Sequence, residues 1–402
     1  MKKVYIVAAK RTAVGKFLGP LTPLPASELA AIVIKNIIEE TKIDSSKIDE
    51  VIVGNVLSGG QKQGVARQSA IKAGLPETVP AYAINMVCGS GLKAINNAYT
   101  SIIAGQANLI IAGGTESMSG SPYLIPSGAR TGFKMGDFQV IDHMILDGLT
   151  DAYSNLHMGI TAENVAEKYG ITREMQDEFS CNSQIKAAKA QDAGKFDKEI
   201  VPVEIVGKKE TTVINKDEFI NRTTSLEKLA TLKPAFKKDG TVTAGNASGI
   251  NDGASFVLVA SEDAVKEYGL TPMVEIIATG QAAVPPEIMG IGPVPAIHNA
   301  LKNANLKLTD IDVLELNEAF AAQSLGCIKL LKEEHGVDDK FFAERCNKNG
   351  GAIALGHPIG ASGNRITVSL IHEMKRENST YGLASLCIGG GMGIALIVKN
   401  LK

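Results

Sequence analysis

The chain repeats itself, and the repeat limits what it can fold into more than any single motif does. Its first half opens with a strand-like stretch at 4–9, then helical spacing over 29–40, then a second strand-like stretch at 49–54. The second half opens with the same order at 274–279, 296–305 and 311–316, and Ile311-Asp312-Val313-Leu314 echoes Ile48-Asp49-Glu50-Val51. The match continues: the turn Cys88-Gly89-Ser90-Gly91 feeds a helix from Leu92 to about Ala104 and a strand at 109–112. Its counterpart Gly360-Ala361-Ser362-Gly363 feeds a helix from Asn364 to about Lys375 and a strand at 382–386. Two copies of one strand-helix order predict an α/β fold with mostly parallel sheets covered by helices.

Between the copies, 119–248 has another character, richer in Gly, Met and charge, with helical periodicity over 162–169 and 173–193. The second of these has acids early and lysines late, as the helix dipole prefers. The stretch reads as an insertion, and a long insertion on a rigid scaffold is where recognition of a substrate handle is expected.

Composition excludes several classes. The 402 residues include 45% hydrophobic and 21% charged, with a formal net charge of -2, so there is no basic field to neutralise nucleic-acid phosphates. No apolar run approaches the ~20 residues of a membrane span. Lys10-Arg11 interrupts the opening apolar stretch before a signal sequence would be complete, which gives a cytoplasmic expectation. The five cysteines are scattered and form no CxxC pair, and the six histidines show no HExxH spacing, so neither a disulfide framework nor a metal site is expected.

Four positions can carry chemistry. Cys88 stands at a strand-to-helix turn, where glycines permit a tight elbow and helix-start N–H groups would favour a thiolate; a buried structural cysteine fits the same local pattern. His357, in Gly356-His357-Pro358, is barred from the following helix by Pro358 and is well set to take a proton from a thiol. Cys387 precedes Ile388-Gly389-Gly390-Gly391, whose successive N–H groups suit an oxyanion hole, whereas the GxGxxG and GxxxxGK[ST] spacings of nucleotide sites are missing. Asn317, in Asn317-Glu318-Ala319-Phe320, follows an apolar strand, and the motif by itself favours an N-cap.

Taken in order along nearly the whole chain, Asn85-Met86-Val87-Cys88-Gly89-Ser90-Gly91, Asn317-Glu318-Ala319-Phe320-Ala321, Gly356-His357-Pro358-Ile359-Gly360 and Cys387-Ile388-Gly389-Gly390-Gly391 resemble the thiolase family, and in particular its biosynthetic type. The resemblance implies two similar βαβαβαββ halves packed as a layered α/β sandwich with an inserted loop domain. That division assigns 1–118 plus 249–270 to one half, 119–248 to the insertion and 271–402 to the other half. It implies a reversible Claisen condensation of two acetyl-CoA to acetoacetyl-CoA and CoA, the alternative being degradation of longer 3-ketoacyl-CoA. Coenzyme A thioesters would be substrates, with no separate cofactor.

By the same resemblance Cys88 forms an acyl-enzyme, His357 removes its proton, Cys387 is the acid/base toward the second acetyl-CoA, and Asn317 holds a water at the enolate oxygen. The N–H groups of Cys88 and Gly389 would meet the acyl carbonyl. His157-Met158-Gly159 matches the short-chain version of its segment, with Met158 narrowing the pocket. Ser248, in the segment opened by Ala244, matches a pantetheine contact, and Arg222 a residue near the adenine. Leu149, Phe236, Met289 and Phe320 would line an apolar channel, although plain packing also accounts for such residues. The segment 119–144, with Lys134-Met135-Gly136-Asp137, resembles the loop through which a homotetramer, a dimer of dimers, forms. A departure at 333–347, longer, more charged and carrying Cys346, is expected to lengthen a surface connection.

Overall fold

In the computed structural model, which describes residues 2–401, the β-branched apolar stretches become strands and the amphipathic ones helices. The first copy runs β1 (Val4–Thr12), α1 (Ala26–Thr41), β2 (Glu50–Gly54), β3 (Ala81–Ile84), α2 (Ser90–Ile103) and β4 (Leu109–Ser117). The middle stretch contributes α3 (Met158–Tyr169) and α4 (Arg173–Asp192), and the chain returns through β5 (Asn251–Ser261). The second copy runs β6 (Val274–Ala283), α5 (Pro293–Ala304), β7 (Val313–Leu316), α6 (Ala321–His335), α7 (Ile359–Glu377), β8 (Tyr381–Ile388) and β9 (Met392–Asn400).

The strands lie in the order β7-β8-β9-β6-β1-β5-β4-β2-β3. Outward from the seam between β1 and β6, one side reads 1-5-4-2 and the other 6-9-8-7, so equivalent strands take equivalent places. The seam is narrow, with Tyr5 opposite Glu275 and Ile6 opposite Val274. The expected predominance of parallel pairing does not hold. β2 runs parallel to β3 and β4, and β7 to β8, but β1–β5, β5–β4, β6–β9 and β8–β9 are antiparallel. β8 reaches β9 through the short turn 389–391, which can only make an antiparallel pair.

Helices α2 and α7 lie between the two halves of the sheet. Ile95 and Ala98 of α2 and Ile366 and Leu370 of α7 share one core with Ile52, Val257, Leu386 and Leu396. A Cβ on Gly363 would sit 2.6 Å from the Leu92 nitrogen, and one on Gly91 would sit 2.9 Å from the Asn364 nitrogen. Main chain meets main chain at this crossing, which only glycine allows. The outer faces are covered by α1 on one side, with Leu29, Val33 and Ile37 on Val51 and Leu258, and by α5 and α6 on the other. The result is a helix-sheet-helix-sheet-helix stack.

The stretch 333–347 is more than a lengthened surface connection. It forms a short helix, Asp339–Arg345, that buries Phe341 and Phe342, and Cys346 bridges Leu314 on the outer edge of β7. Asn347 then bonds both backbone groups of Leu316, at 2.9 and 2.8 Å, and the Glu318 carboxylate at 2.9 Å. Apolar spacing within a charged stretch drives this burial.

Candidate active site

Asn317 and Cys387 come at the ends of the parallel neighbours β7 and β8, and Cys88 follows the end of β3, so the chemistry gathers beyond the carboxyl ends of strands. Cys88, His357 and Cys387 all open onto one cavity of about 730 Å³.

Cys88 sits at a pinned elbow. Val87 adopts φ 46°, a region costly for a β-branched residue, and is held there by bonds from Val87 N–H to Asn85 Oδ1 at 2.9 Å and from Ser90 Oγ to Val87 O at 2.7 Å. The expected donation from the helix start is not found: Gly89 and Ser90 N–H go to the carbonyls of Met86 and Val87, at 3.0 and 3.1 Å. The backbone groups that favour the Cys88 thiolate are instead the N–H of Gly389 and its own N–H. Burial outweighs them and pushes the thiol up to about 11, so Cys88 is a thiol at neutral pH and needs a base.

His357 is that kind of base. Its N–H donates to Asn251 Oδ1 at 2.9 Å, and its Nδ1 lies 2.5 Å from Ser362 Oγ, whose hydroxyl donates to Pro358 O at 2.9 Å. With that proton committed, Ser362 accepts from Nδ1–H, which leaves Nε2 as the lone-pair nitrogen. Burial, assisted by Arg365, lowers the imidazole to about 4, so it is neutral. Cys387 is buried, and its thiol is raised well above the ordinary value, by burial first and then by the nearby Cys88.

Asn317 is not an N-cap: α6 starts at Ala321 and Phe320 occupies the cap position. The Asn317 N–H donates to Ser385 O at 3.0 Å. Its side chain is fully buried, with Oδ1 3.5 Å from Arg365 Nη2 and Nδ2 lacking a partner among the described residues. Asn317 is not among the residues that line the cavity, whereas Ala319 and Phe320 are.

The expected substrate contacts divide. His157 caps α3 by accepting the Gly159 N–H at 3.0 Å, and its ring stacks on Phe236 with centroids 4.6 Å apart. Met158, Met289 and Phe320 join Cys387 in one apolar cluster, while Leu149 packs with Val87 and Cys88 in another. Met158 Sδ lies 3.5 Å from where a Gly389 Cβ would be. Ser248 and Ala244 line the same cavity, and Ala244 also borders an adjoining cavity of about 350 Å³ that includes Lys228. Arg222 lines neither; it is exposed and paired with Asp192 at 2.8 Å.

Phe219, Ile250 and Met118 also line the cavity. They carry no motif, and only the three-dimensional fold brings them there. Ser362 was legible only as part of a turn, and Arg365 as a charged residue on an apolar helix. Among the described residues, no three His, Cys, Asp or Glu side chains are grouped to hold a metal.

The family profile for the thiolase N-terminal domain matches residues 4–263, and that for the thiolase C-terminal domain matches 270–400. An acetyl-CoA acetyltransferase of Cupriavidus necator is 55% identical over 401 residues, covering 100% of each chain. A probable acetyl-CoA acyltransferase of Staphylococcus aureus is 54% identical over 403 residues, again covering 100% of each. The crystal structure of the Bacillus anthracis acetyl-CoA acetyltransferase superposes with a TM-score of 0.95 at 43% identity, covering 100% of this chain and 99% of that one. That of human mitochondrial 3-ketoacyl-CoA thiolase gives 0.94 at 43% identity with the same coverage. Matched by both profiles and by full-length relatives, with the repeat built into its sheet, the chain belongs to the thiolase family.

Proposed function

We propose that the protein is an acetyl-CoA acetyltransferase that joins two acetyl-CoA into acetoacetyl-CoA and CoA, reversibly, through an acetyl group on Cys88. The observation that carries this reading is the convergence of two thiols and a neutral imidazole on one cavity, with the Gly389 N–H favouring the Cys88 thiolate. The identity to acetyl-CoA acetyltransferases supports it.

The protons balance as follows. His357 Nε2 takes the Cys88 proton as sulfur attacks the thioester carbonyl, whose oxygen is met by the N–H groups of Cys88 and Gly389. The departing CoA thiolate takes the Cys387 proton and leaves as CoA. The Cys387 thiolate then removes a methyl proton from a second acetyl-CoA, and the enolate oxygen is met by the His357 imidazolium and a water held by Asn317. The enolate attacks the acetyl-cysteine, the carbon-sulfur bond breaks, and the Cys88 thiolate recovers its proton from His357. Every group ends as it began.

Met158, Met289 and Phe320 leave room for a short acyl group, which favours acetoacetyl over longer chains. The division into two halves and an insertion is retained as part of this reading, as are Ser248, Ala244 and Arg222 as coenzyme A contacts. The exposed Tyr123, Ile125, Phe133, Met135 and Phe138 support a homotetramer built through 119–144. All five cysteines are free, which suits a cytoplasmic enzyme whose thiols must stay reduced.

The test is a set of rates. Thiolysis of acetoacetyl-CoA is expected to exceed that of 3-ketohexanoyl-CoA and longer substrates by about tenfold or more in kcat/KM. Equal rates across the series would make it a degradative enzyme. Cys88→Ser is expected to take up no labelled acetyl group from acetyl-CoA, and Cys387→Ser to be acetylated yet form no acetoacetyl-CoA.

A further inference from the structure

A buried amide can be turned two ways, and something must choose between them. The Asn317 oxygen faces Arg365 Nη2 at 3.5 Å, while its Nδ2 has no partner among the described residues. Turning the amide over would set an NH₂ group against a guanidinium, donor against donor, and leave a buried oxygen with nothing to accept. Arg365 is itself buried on α7, with Glu315 Oε2 3.5 Å from its Nη1, and its Nε and Nη1 make no hydrogen bond among the described residues. A buried cation with one long ion pair and two unused donors is a poor device for stability, since well-packed apolar residues of similar volume serve a core at least as well. Its neighbours on the helix, Ile366, Val368 and Leu370, are such residues. Glu315 is two positions before Asn317 on the chain, so the pair is anchored on the backbone that carries the amide.

We infer that Arg365, held by Glu315, is a positioning residue for Asn317: it fixes the amide with its oxygen turned toward the guanidinium and its NH₂ group free for the water that meets the enolate oxygen. This rests on the role proposed for Asn317 above and adds the group that orients it.

The test uses the full-length protein and the paired substitution Glu315→Gln with Arg365→Met, which removes the guanidinium together with its carboxyl partner and leaves neither buried without the other. Two half-reactions are read: transfer of labelled acetyl from acetyl-CoA to Cys88, and condensation. Acetyl labelling is expected to stay near the wild-type rate, while condensation kcat falls about 100-fold with KM for acetyl-CoA little changed. Exchange of the acetyl-CoA methyl protons with D₂O should fall in step. In an Asn317→Ala background the same pair should cause no further loss, because the amide to be oriented is gone.

If the losses multiply in that background, or labelling falls as far as condensation, Arg365 acts through His357 or the fold at large and the inference is wrong. If Asn317→Ala is impaired in condensation while the paired variant is not, Arg365 loses its role and Asn317 keeps its own. If Asn317→Ala condenses at the wild-type rate, the role of Asn317 fails and this inference fails with it. Should circular dichroism show the paired variant unfolded, Arg365→Lys carries the same comparison. It keeps the charge without the planar fork, and is expected to label normally and condense about tenfold more slowly.

Discussion

An imidazole kept neutral by burial changes how the folded chain responds to acid. The His357 value falls from 6.5 to about 4 in the fold. Between those values the unfolded chain binds a proton that the folded chain refuses, so stability rises with pH across the window and is lost as pH falls from about 6.5 to about 4. The contribution is about 3 kcal/mol in order of magnitude, because the group is wholly buried. His357→Asn should therefore show a shallower loss of stability between pH 7 and pH 4.5, measured by denaturant unfolding at several pH values. His372, also lowered by burial, persists in the variant and leaves a residual slope. An unchanged slope would mean that the fold leaves the His357 value where it is in the unfolded chain.

At the scale of elements, the crossing of α2 and α7 leaves no room for a side chain. Gly363→Ala puts a methyl 2.6 Å from the Leu92 nitrogen, against main chain that has no rotamer to yield. A destabilisation of about 1–3 kcal/mol or more is expected, read as a lower melting temperature, whereas Gly269→Ala, where a Cβ meets nothing within 4 Å, brings only the strain of its positive φ. Much of this architecture is legible in the sequence, because the two copies keep one order and the turns at 88–91 and 360–363 mark equivalent helix starts. Strand direction is not. Every residue of β5 is buried, and a strand covered on both faces reads as a similar apolar run whichever way it points. The thiols and the imidazole are legible because their motifs sit in glycine-rich turns. Asn317 misleads because an acid and an alanine after it look like a helix start, whereas the chain runs on to Phe320 before turning. Arg365 is hidden for the opposite reason: a charged residue on a helix suggests solvent, and α7 has none around that position.

For the molecule as a whole, the middle stretch is tied to β1 by a buried charge cluster. Arg11 binds Asp217 with bonds of 2.7 and 2.9 Å and Glu199 at 2.8 Å. Burial alone would lower its pKa, but the two carboxylates outweigh that and hold the guanidinium charged. Arg11→Met would leave both acids buried and unpaired, and is expected to cost about 3–5 kcal/mol by chemical denaturation. Lys72→Met, which breaks the Lys72–Glu28 pair at 2.7 Å on the surface, should cost about 1 kcal/mol or less. Similar losses for the two would show the buried cluster to be dispensable. The glycine crossing has a further consequence at this scale. One helix begins just past Cys88 and the other just past His357, and the two are locked where no side chain intervenes. Side chains mounted this way keep their spacing whether or not the cavity is filled, so no hinge motion is needed to bring Cys88 and His357 to the same cavity.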